Sequence, residues 1–198
     1  MPDPNGVTIT AKYVNMADLM PTARAHRLEP KSGEQATPPR EPLWDLIELL
    51  FFAYRDFVSD PDHVLANFNF GRAHHRVLHF VCRHPGIKVA DLLDILKITK
   101  QSLGRVLKQL VDQGYVVQKE GANDRRQRLL YASPQGEALA LQLAGLQTAR
   151  ISRALAELGP GAHGEARGFL IAMLDADGRE DVLRLIEHAG SVRRASPS

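Results

Sequence analysis

Polar side chains recur on one side of a predicted helix between residues 99 and 114. They are Lys100, Gln101, Ser102, Arg105 and Lys108. Each of them donates hydrogen bonds, and most are long enough to reach base edges in a DNA major groove or the phosphates beside it. We expect this face to enter the major groove, with Gln101 and Arg105 reading bases and Thr99 completing the contact surface.

A second basic group lies in the turn between Glu120 and Arg128. It contains Asp124, Arg125, Arg126 and Arg128. Arginines exposed on a narrow turn suit a narrow minor groove, where the negative potential of DNA is enhanced. We expect Arg126, supported by Asp124, to enter the minor groove or hold its backbone. Arg125 and Arg128 are then placed to contact phosphates.

Two predicted helices and two predicted strands position these groups. Thr99 is the predicted N-cap of the helix that carries the first group, and Gly114 is its predicted C-terminal stop. Leu103, Val106, Leu107, Leu110 and Val111 form its apolar stripe. A shorter helix over Lys88–Leu96 precedes it, and strands over Tyr115–Lys119 and Leu129–Ser133 flank the basic turn. Two helices followed by a basic hairpin predict a winged helix-turn-helix.

Gly104 lies inside the helix that carries the first group. A glycine there costs about 1 kcal/mol relative to alanine, so its presence needs a reason. We slightly favour close packing against the Lys88–Leu96 helix over close approach to DNA.

The predicted helices outside this unit carry more apolar surface than the unit can cover. One spans Leu43–Val58, is apolar around most of its circumference and is ended by Ser59-Asp-Pro-Asp62. A helix from about Phe70 to Arg83 leads into the unit, and further helices run from Pro134 to Ala189 with breaks at 159–161 and 175–178. An intermolecular helical interface explains this excess most simply. The predicted fold is mainly α with a small β-hairpin wing: a winged helix-turn-helix with flanking dimerisation helices.

The predicted domain organisation has three parts. Residues 1–42 mix proline, glycine and balanced charge and predict a flexible extension, or alternatively an arm that crosses to a partner subunit or contacts DNA. Residues 43–190 form the folded domain, with the winged helix at about 70–133 and dimerisation helices at about 43–58 and 134–189. Residues 191–198 predict a C-terminal tail.

Charge and composition agree with this organisation. The net charge of the 198 residues is only +2, but nine of the 25 Lys and Arg residues and five of the 23 Asp and Glu residues lie between Lys88 and Pro134. Positive charge is therefore concentrated where phosphates would bind. No apolar stretch is long enough to span a membrane, no signal peptide is visible, and the single cysteine fits a reducing compartment, so we expect a cytoplasmic protein.

The segments 98–116 and 123–136 resemble the multiple antibiotic resistance regulator (MarR) family of dimeric winged-helix transcription factors. The family's wing carries Asp-x-Arg, matched here by Asp124 and Arg126, and its second wing strand ends in a Leu-Thr-x-x-Gly-like sequence, which here reads Ala132-Ser-Pro-Gln-Gly136. The resemblance extends over about residues 43–189. It implies a homodimer that binds double-stranded DNA at a pseudo-palindromic operator, most often as a repressor.

The resemblance also implies a pocket for a small-molecule effector between the dimerisation helices and the winged helix. The apolar candidates to line it are Trp44, Phe51, Tyr54, Val77 and Phe80. No bound cofactor or metal is expected, and no arrangement typical of an enzyme occurs in the sequence.

Other readings stay open. His74, His75 and His79 lie on one predicted helix, and the four-residue spacing of the last two suits a zinc ligand pair, so a metal-responsive regulator is an alternative. Cys82 beside Arg83 and His84 would suit a redox sensor, but core packing beside Phe80 and Val81 is the simpler explanation of a lone cysteine. A non-specific architectural DNA-binding protein would need a basic charge spread over the whole surface. A wing without arginines would favour a protein-interaction module, whereas this wing contains three.

Overall fold

The structure is a computed structural model that describes residues 41–121, 124 and 127–194. The predicted N-terminal extension, apart from its last two residues, and the wing residues Arg125 and Arg126 lie outside this part. In chain order the elements are α1 (Trp44–Ala66), α2 (Arg72–Arg83), β1 (Ile87–Lys88), α3 (Val89–Leu96), α4 (Lys100–Asp112), β2 (Val116–Glu120), β3 (Arg128–Ala132), α5 (Pro134–Leu158), α6 (Ala162–Ala172) and α7 (Arg179–Arg194).

Helices α2, α3 and α4 and the sheet form a winged helix-turn-helix, which confirms the predicted fold class. The helices enclose one apolar core to which Val77, Leu92, Leu103 and Leu110 contribute side chains that are at most 1% exposed. Leu130 of the sheet closes that core from the other side. The apolar stripe predicted for α4 is therefore the face that the winged helix buries.

The sheet has the order β1-β3-β2, and all its pairs are antiparallel. β2 and β3 pair from Val116 opposite Ala132 to Glu120 opposite Arg128, so the predicted hairpin is confirmed. The two-residue strand β1 was not predicted, because two residues are too short to show an alternating pattern. Ile87 pairs with Leu130 and fixes the hairpin to the start of α3.

Helix α1 is longer than predicted, and the expected break at Ser59-Asp-Pro-Asp62 is wrong. The helix continues through Pro61 to Ala66. Pro61 is buried, and Asp60 and Asp62 form ion pairs with Arg150 of α5 and Arg72 of α2. Tertiary packing therefore holds the helix across a residue that lacks the amide of an ordinary helical turn.

The C-terminal helices follow the predicted breaks. Ser133 caps α5 by accepting a 3.0 Å hydrogen bond from the Gly136 amide, and Pro134 lies in the first turn, as predicted. Gly159 and Gly161 both have positive φ, which ends α5 and begins α6. Helix α7 runs to Arg194, beyond the boundary predicted at residue 190.

The N-terminal half of α1 has no cover in a single chain. Every residue from 41 to 55 is exposed, and nine large apolar side chains occur among them. They are Leu43, Trp44, Leu46, Ile47, Leu49, Leu50, Phe51, Phe52 and Tyr54. We call residues 43–55 the apolar arm. Within the described ranges, no helix has both the length and the hydropathy needed to cross a membrane.

Candidate nucleic-acid interface

Helix α4 begins with the cap that its sequence predicts. The Thr99 hydroxyl accepts a 3.1 Å hydrogen bond from the Ser102 amide, which satisfies one of the free donors of the first turn. It also donates to the Ser102 hydroxyl oxygen at 2.9 Å. Because the Ser102 oxygen accepts that bond, its own proton is free to donate outward. Both hydroxyls are exposed at the end of α4 that would enter a groove first.

The polar face of α4 is open to solvent. Lys100, Gln101, Ser102, Arg105 and Lys108 are all exposed, as their spacing predicts. Lys108 forms an ion pair with Asp112 one turn further on. No ion pair of Lys100 or Arg105 with any other described residue is observed. Two cations on this face are therefore available for phosphates or base edges without first breaking an internal contact.

Gln109 and His74 hold α4 against α2, and this link was not predicted from the sequence. The Gln109 side-chain carbonyl lies 2.9 Å from His74 Nε2, and its amide nitrogen donates to the Asn69 carbonyl at 3.1 Å. His74 Nδ1 accepts from the Gly71 amide at 3.1 Å, so Nε2 must carry the proton that it shares with Gln109. His74 thus bridges the start of α2 to α4, which is the candidate recognition helix.

This bridge requires a neutral imidazole. Burial lowers the pKa of His74 below the ordinary histidine value, because desolvation disfavours the charged ring. Its ring stacks on Phe70, with centroids 4.8 Å apart. Protonation would place a hydrogen on Nδ1 opposite the Gly71 amide, replacing an acceptor with a donor.

The wing is held by contacts at its base. Arg128 pairs with Glu120 at 2.9 Å across the two strands, so the residue predicted to contact phosphate is already engaged in the free protein. Gly121 donates to the Gln127 carbonyl, and Gln127 donates to that of Asp124, both at 3.0 Å. A Cβ at Gly121 would lie 2.8 Å from the Asp124 carbonyl oxygen, so the tight turn requires glycine there. Asp124 is exposed.

The end of the recognition helix is joined directly to α5. Gly114 has φ +77° and ends the turn after α4, as predicted. The Ser133 hydroxyl donates to the Gly114 carbonyl at 2.6 Å, and the Ser133 amide donates to the Tyr115 carbonyl at 3.1 Å. A Cβ at Gly136 would lie 2.1 Å from that same Tyr115 oxygen. Only glycine allows α5 to approach so closely.

The predicted effector-pocket residues lie in two different environments. Trp44, Phe51 and Tyr54 are 63%, 59% and 47% exposed on the apolar arm. Val77 is fully buried in the winged-helix core, and Phe80 is half-buried against it. A pocket between the arm and the winged helix stays a prediction, and a single chain does not bring these five side chains together on one open surface.

The histidines on α2 do not assemble a metal site in the described part of the chain. No group of three or more His, Cys, Asp or Glu side chains there is placed to hold an ion. Burial lowers the pKa values of His75, His79 and His84 as it does that of His74. Cys82 lies half-buried on the same helix and forms no disulfide bond.

Comparisons with known proteins agree with this geometry. The sequence model of the MarR family matches residues 68–127. The chain is 44% identical over 129 residues to the HTH-type transcriptional regulator PetP of Rhodobacter capsulatus, an alignment that covers 65% of this chain and 78% of PetP.

Two solved structures have the same fold. The transcriptional regulator SlyA superposes with a TM-score of 0.58 at 20% identity, covering 69% of this chain and 96% of SlyA. MarR itself superposes with a TM-score of 0.52 at 19% identity, covering 82% of this chain and all of MarR.

Proposed function

Because this chain belongs to the MarR family of DNA-binding transcriptional regulators, we propose that it is a ligand-responsive repressor. It acts as a homodimer on a pseudo-palindromic operator, in the cytoplasm. The observation that carries the proposal is the exposed donor face of α4, whose opposite face is buried in the winged-helix core. Gln101 and Arg105 on that face read base edges, since an amide and a guanidinium can each make two hydrogen bonds to one purine.

The apolar arm supports the homodimer. Its large apolar side chains are between 39% and 63% exposed. Phe169 and Leu170 on α6, Met173 directly after it and Ile186 on α7 are at least half exposed. A monomer seldom leaves so much contiguous apolar surface in water. A second copy of the chain offers the same surface, and a two-fold arrangement lets each arm cover its equivalent.

The dimer explains how the operator is recognised. Two recognition helices related by a two-fold axis fit successive major grooves when they are roughly 34–36 Å apart. The operator then carries the same half-site twice in opposite directions. A dimer seated across two grooves also covers the DNA that a polymerase needs, which accounts for repression.

Response to a ligand follows from differential affinity. A small apolar effector that binds between the arm and the winged helix would shift the protein away from the DNA-binding geometry if it binds another geometry better. Trp44, Phe51 and Tyr54 offer aromatic surface for such a ligand, and Phe80 lies on the winged-helix side.

The test is binding of the purified protein to the DNA upstream of its own coding sequence, with scrambled duplex as competitor at fixed physiological salt. We expect a complex that survives the competitor and a footprint with two half-sites one helical turn apart. A complex that the competitor removes would support a non-specific architectural protein instead. No shift with either duplex would contradict the proposal.

A further inference from the structure

Gly104 has no structural reason to be a glycine. It is exposed in the interior of α4, and a Cβ built there would have no neighbouring atom within 4 Å. The predicted close packing against the Lys88–Leu96 helix is therefore wrong. A glycine in a helix interior lowers stability by about 1 kcal/mol relative to alanine. This chain tolerates that loss on the face it presents to DNA.

Gly104 forms part of the lining of an open groove beside α4. The groove has a volume of about 420 Å³ and lies between α4, the start of α3 and β2. Its apolar lining comes from Val89, Leu107 and Val111, and its polar lining from Lys100, Lys108, Asp112 and Gln118. A side chain at Gly104 would project into this space.

The charges of the groove follow the axis of α4. Lys100, Gly104 and Lys108 are four residues apart in succession, so they lie on one line, and the two lysines are separated by about 12 Å along the helix axis. Asp112 adds one negative charge, and it is the residue that pairs with Lys108 in the free protein. The groove therefore carries two cations, one anion and a strip of apolar surface between them.

We propose that this groove receives one sugar–phosphate strand of the bound DNA, and that Gly104 keeps it deep enough for the strand to enter. The inference rests on the proposed DNA-binding function. Phosphates bind the two lysines, and the apolar strip faces the deoxyribose rings. Lys108 exchanges the Asp112 carboxylate for a phosphate when DNA binds. Gly104 acts as a positioning residue, because it sets how closely the strand approaches α4.

The first test compares Gly104→Ala and Gly104→Leu with the matched control Gly145→Ala. Gly145 is also exposed inside a helix, and a Cβ added to it would have nothing within 4 Å. Because α5 belongs to the predicted dimerisation helices, sedimentation must first show that all three variants keep the mass of the parent. We expect both alanine variants to raise Tm by about 2–4 °C. Only the Gly104 variants should bind DNA more weakly.

The size of the loss should follow the size of the side chain. We expect Gly104→Ala to weaken binding by about tenfold, equivalent to about 1.4 kcal/mol, and Gly104→Leu to weaken it further. Because the backbone is common to all sequences, operator and scrambled duplex at low salt should lose affinity alike. A loss confined to the operator would overturn the backbone assignment. Parent-level affinity in Gly104→Leu would overturn the proposal while leaving DNA binding itself intact, whereas a parent protein that binds neither duplex would end both.

A second test uses Asp112→Asn, which releases Lys108 from its partner. We expect tighter binding to any duplex, by a few-fold, because Lys108 no longer has to leave a carboxylate before it contacts phosphate. The dependence of affinity on salt should stay the same, because the number of cations on phosphate in the complex is unchanged. Asp175→Asn makes the same charge change at an exposed position outside the groove and should leave the affinity nearly unchanged. Equal effects of the two substitutions would show a general charge effect and overturn the role of this groove.

Discussion

The winged helix and the apolar arm use apolar residues in opposite ways. In the winged helix, Leu92, Leu103 and Leu130 are at most 1% exposed, and the core is closed by segments of the same chain. In the arm, Trp44 and Leu49 are more than 60% exposed, although they are equally apolar. The first region can reach its final packing within one chain, whereas the second needs a surface from outside.

The side-chain contacts of the two regions also differ in the sequence separation that they span. Side chains of the winged helix link its elements across long sequence separations, as His74 does with Gln109 and Arg76 does with the Leu96 carbonyl. In the arm, Arg55 forms an ion pair with its neighbour Asp56 and lies over the ring of Phe52, three residues earlier. We therefore expect the winged helix to determine the stability of the chain and the arm to determine its assembly. Substitutions in one region should affect one property without the other.

The largest expected effect comes from placing a charge in the arm. Leu50→Glu should convert the proposed dimer to a monomer, because a carboxylate would lose its water in the interface without a partner. Operator affinity should fall by about 100-fold or more, since two half-sites can no longer be bound together. Sedimentation and gel shift measure the two effects. Val117→Glu, at an exposed apolar residue on β2, should leave the mass of the dimer unchanged; a monomer there as well would contradict the comparison.

Arg105→Ala should weaken operator binding without changing the assembly of the protein. We expect a loss of about 1–3 kcal/mol in operator binding and relaxed specificity at one base pair, with no change in mass or Tm. Binding to a set of operators with single base changes measures it. Arg153→Ala, an exposed arginine on α5, is the matched control and should bind like the parent. An operator affinity that is unaltered in Arg105→Ala would remove this residue from the readout.

The hydrogen bond between His74 and Gln109 should make the stability of the winged helix depend on pH and on the residue at position 74. His74→Ala should lower the free energy of unfolding by about 1–2 kcal/mol, because Gln109 loses its partner. The folded-state pKa of His74 is lowered, so its contribution is present above the unfolded-state value and lost as pH falls below about 6.5. His74→Gln should reduce this loss of stability between pH 7 and pH 5 in urea melts. A loss equal to that of the parent would show that the bridge does not titrate.

The smallest effect concerns the cap of α4. Thr99→Ala should cost about 1 kcal/mol of stability, and Thr99→Ser should restore most of it, because serine offers the same oxygen to the Ser102 amide. Thermal unfolding measures both. If the alanine variant melts with the parent, the cap contributes nothing to the winged helix.

Local patterns in the sequence predict the winged helix well. The spacing of Leu103, Val106 and Leu110 and the Thr99 cap depend on neighbours within a few residues, and the structure confirms them. Contacts between distant segments are less predictable. Pro61 stays helical because α2 and α5 hold it, and Gln109 meets His74 only after α2 and α4 pack.

The candidate interface follows the same division. The helical period predicts the exposure of Lys100, Gln101 and Arg105. The pairing of Arg128 with Glu120 depends on strand register, which the sequence leaves open. The sequence favours a packing role for Gly104, and the open groove beside it appears only when β2 is placed next to α4.

The close contact between Gly136 and Tyr115 has a consequence for the spacing of the operator. Because no side chain separates α5 from the end of the recognition helix, a rotation of α5 must turn α4 with it. One base pair inserted between the half-sites rotates one of them by about 34° about the DNA axis. The tight contact between α5 and α4 does not allow α4 to rotate by this amount. We therefore expect the protein to bind operators with one spacing between half-sites and not operators whose spacing is one base pair longer or shorter.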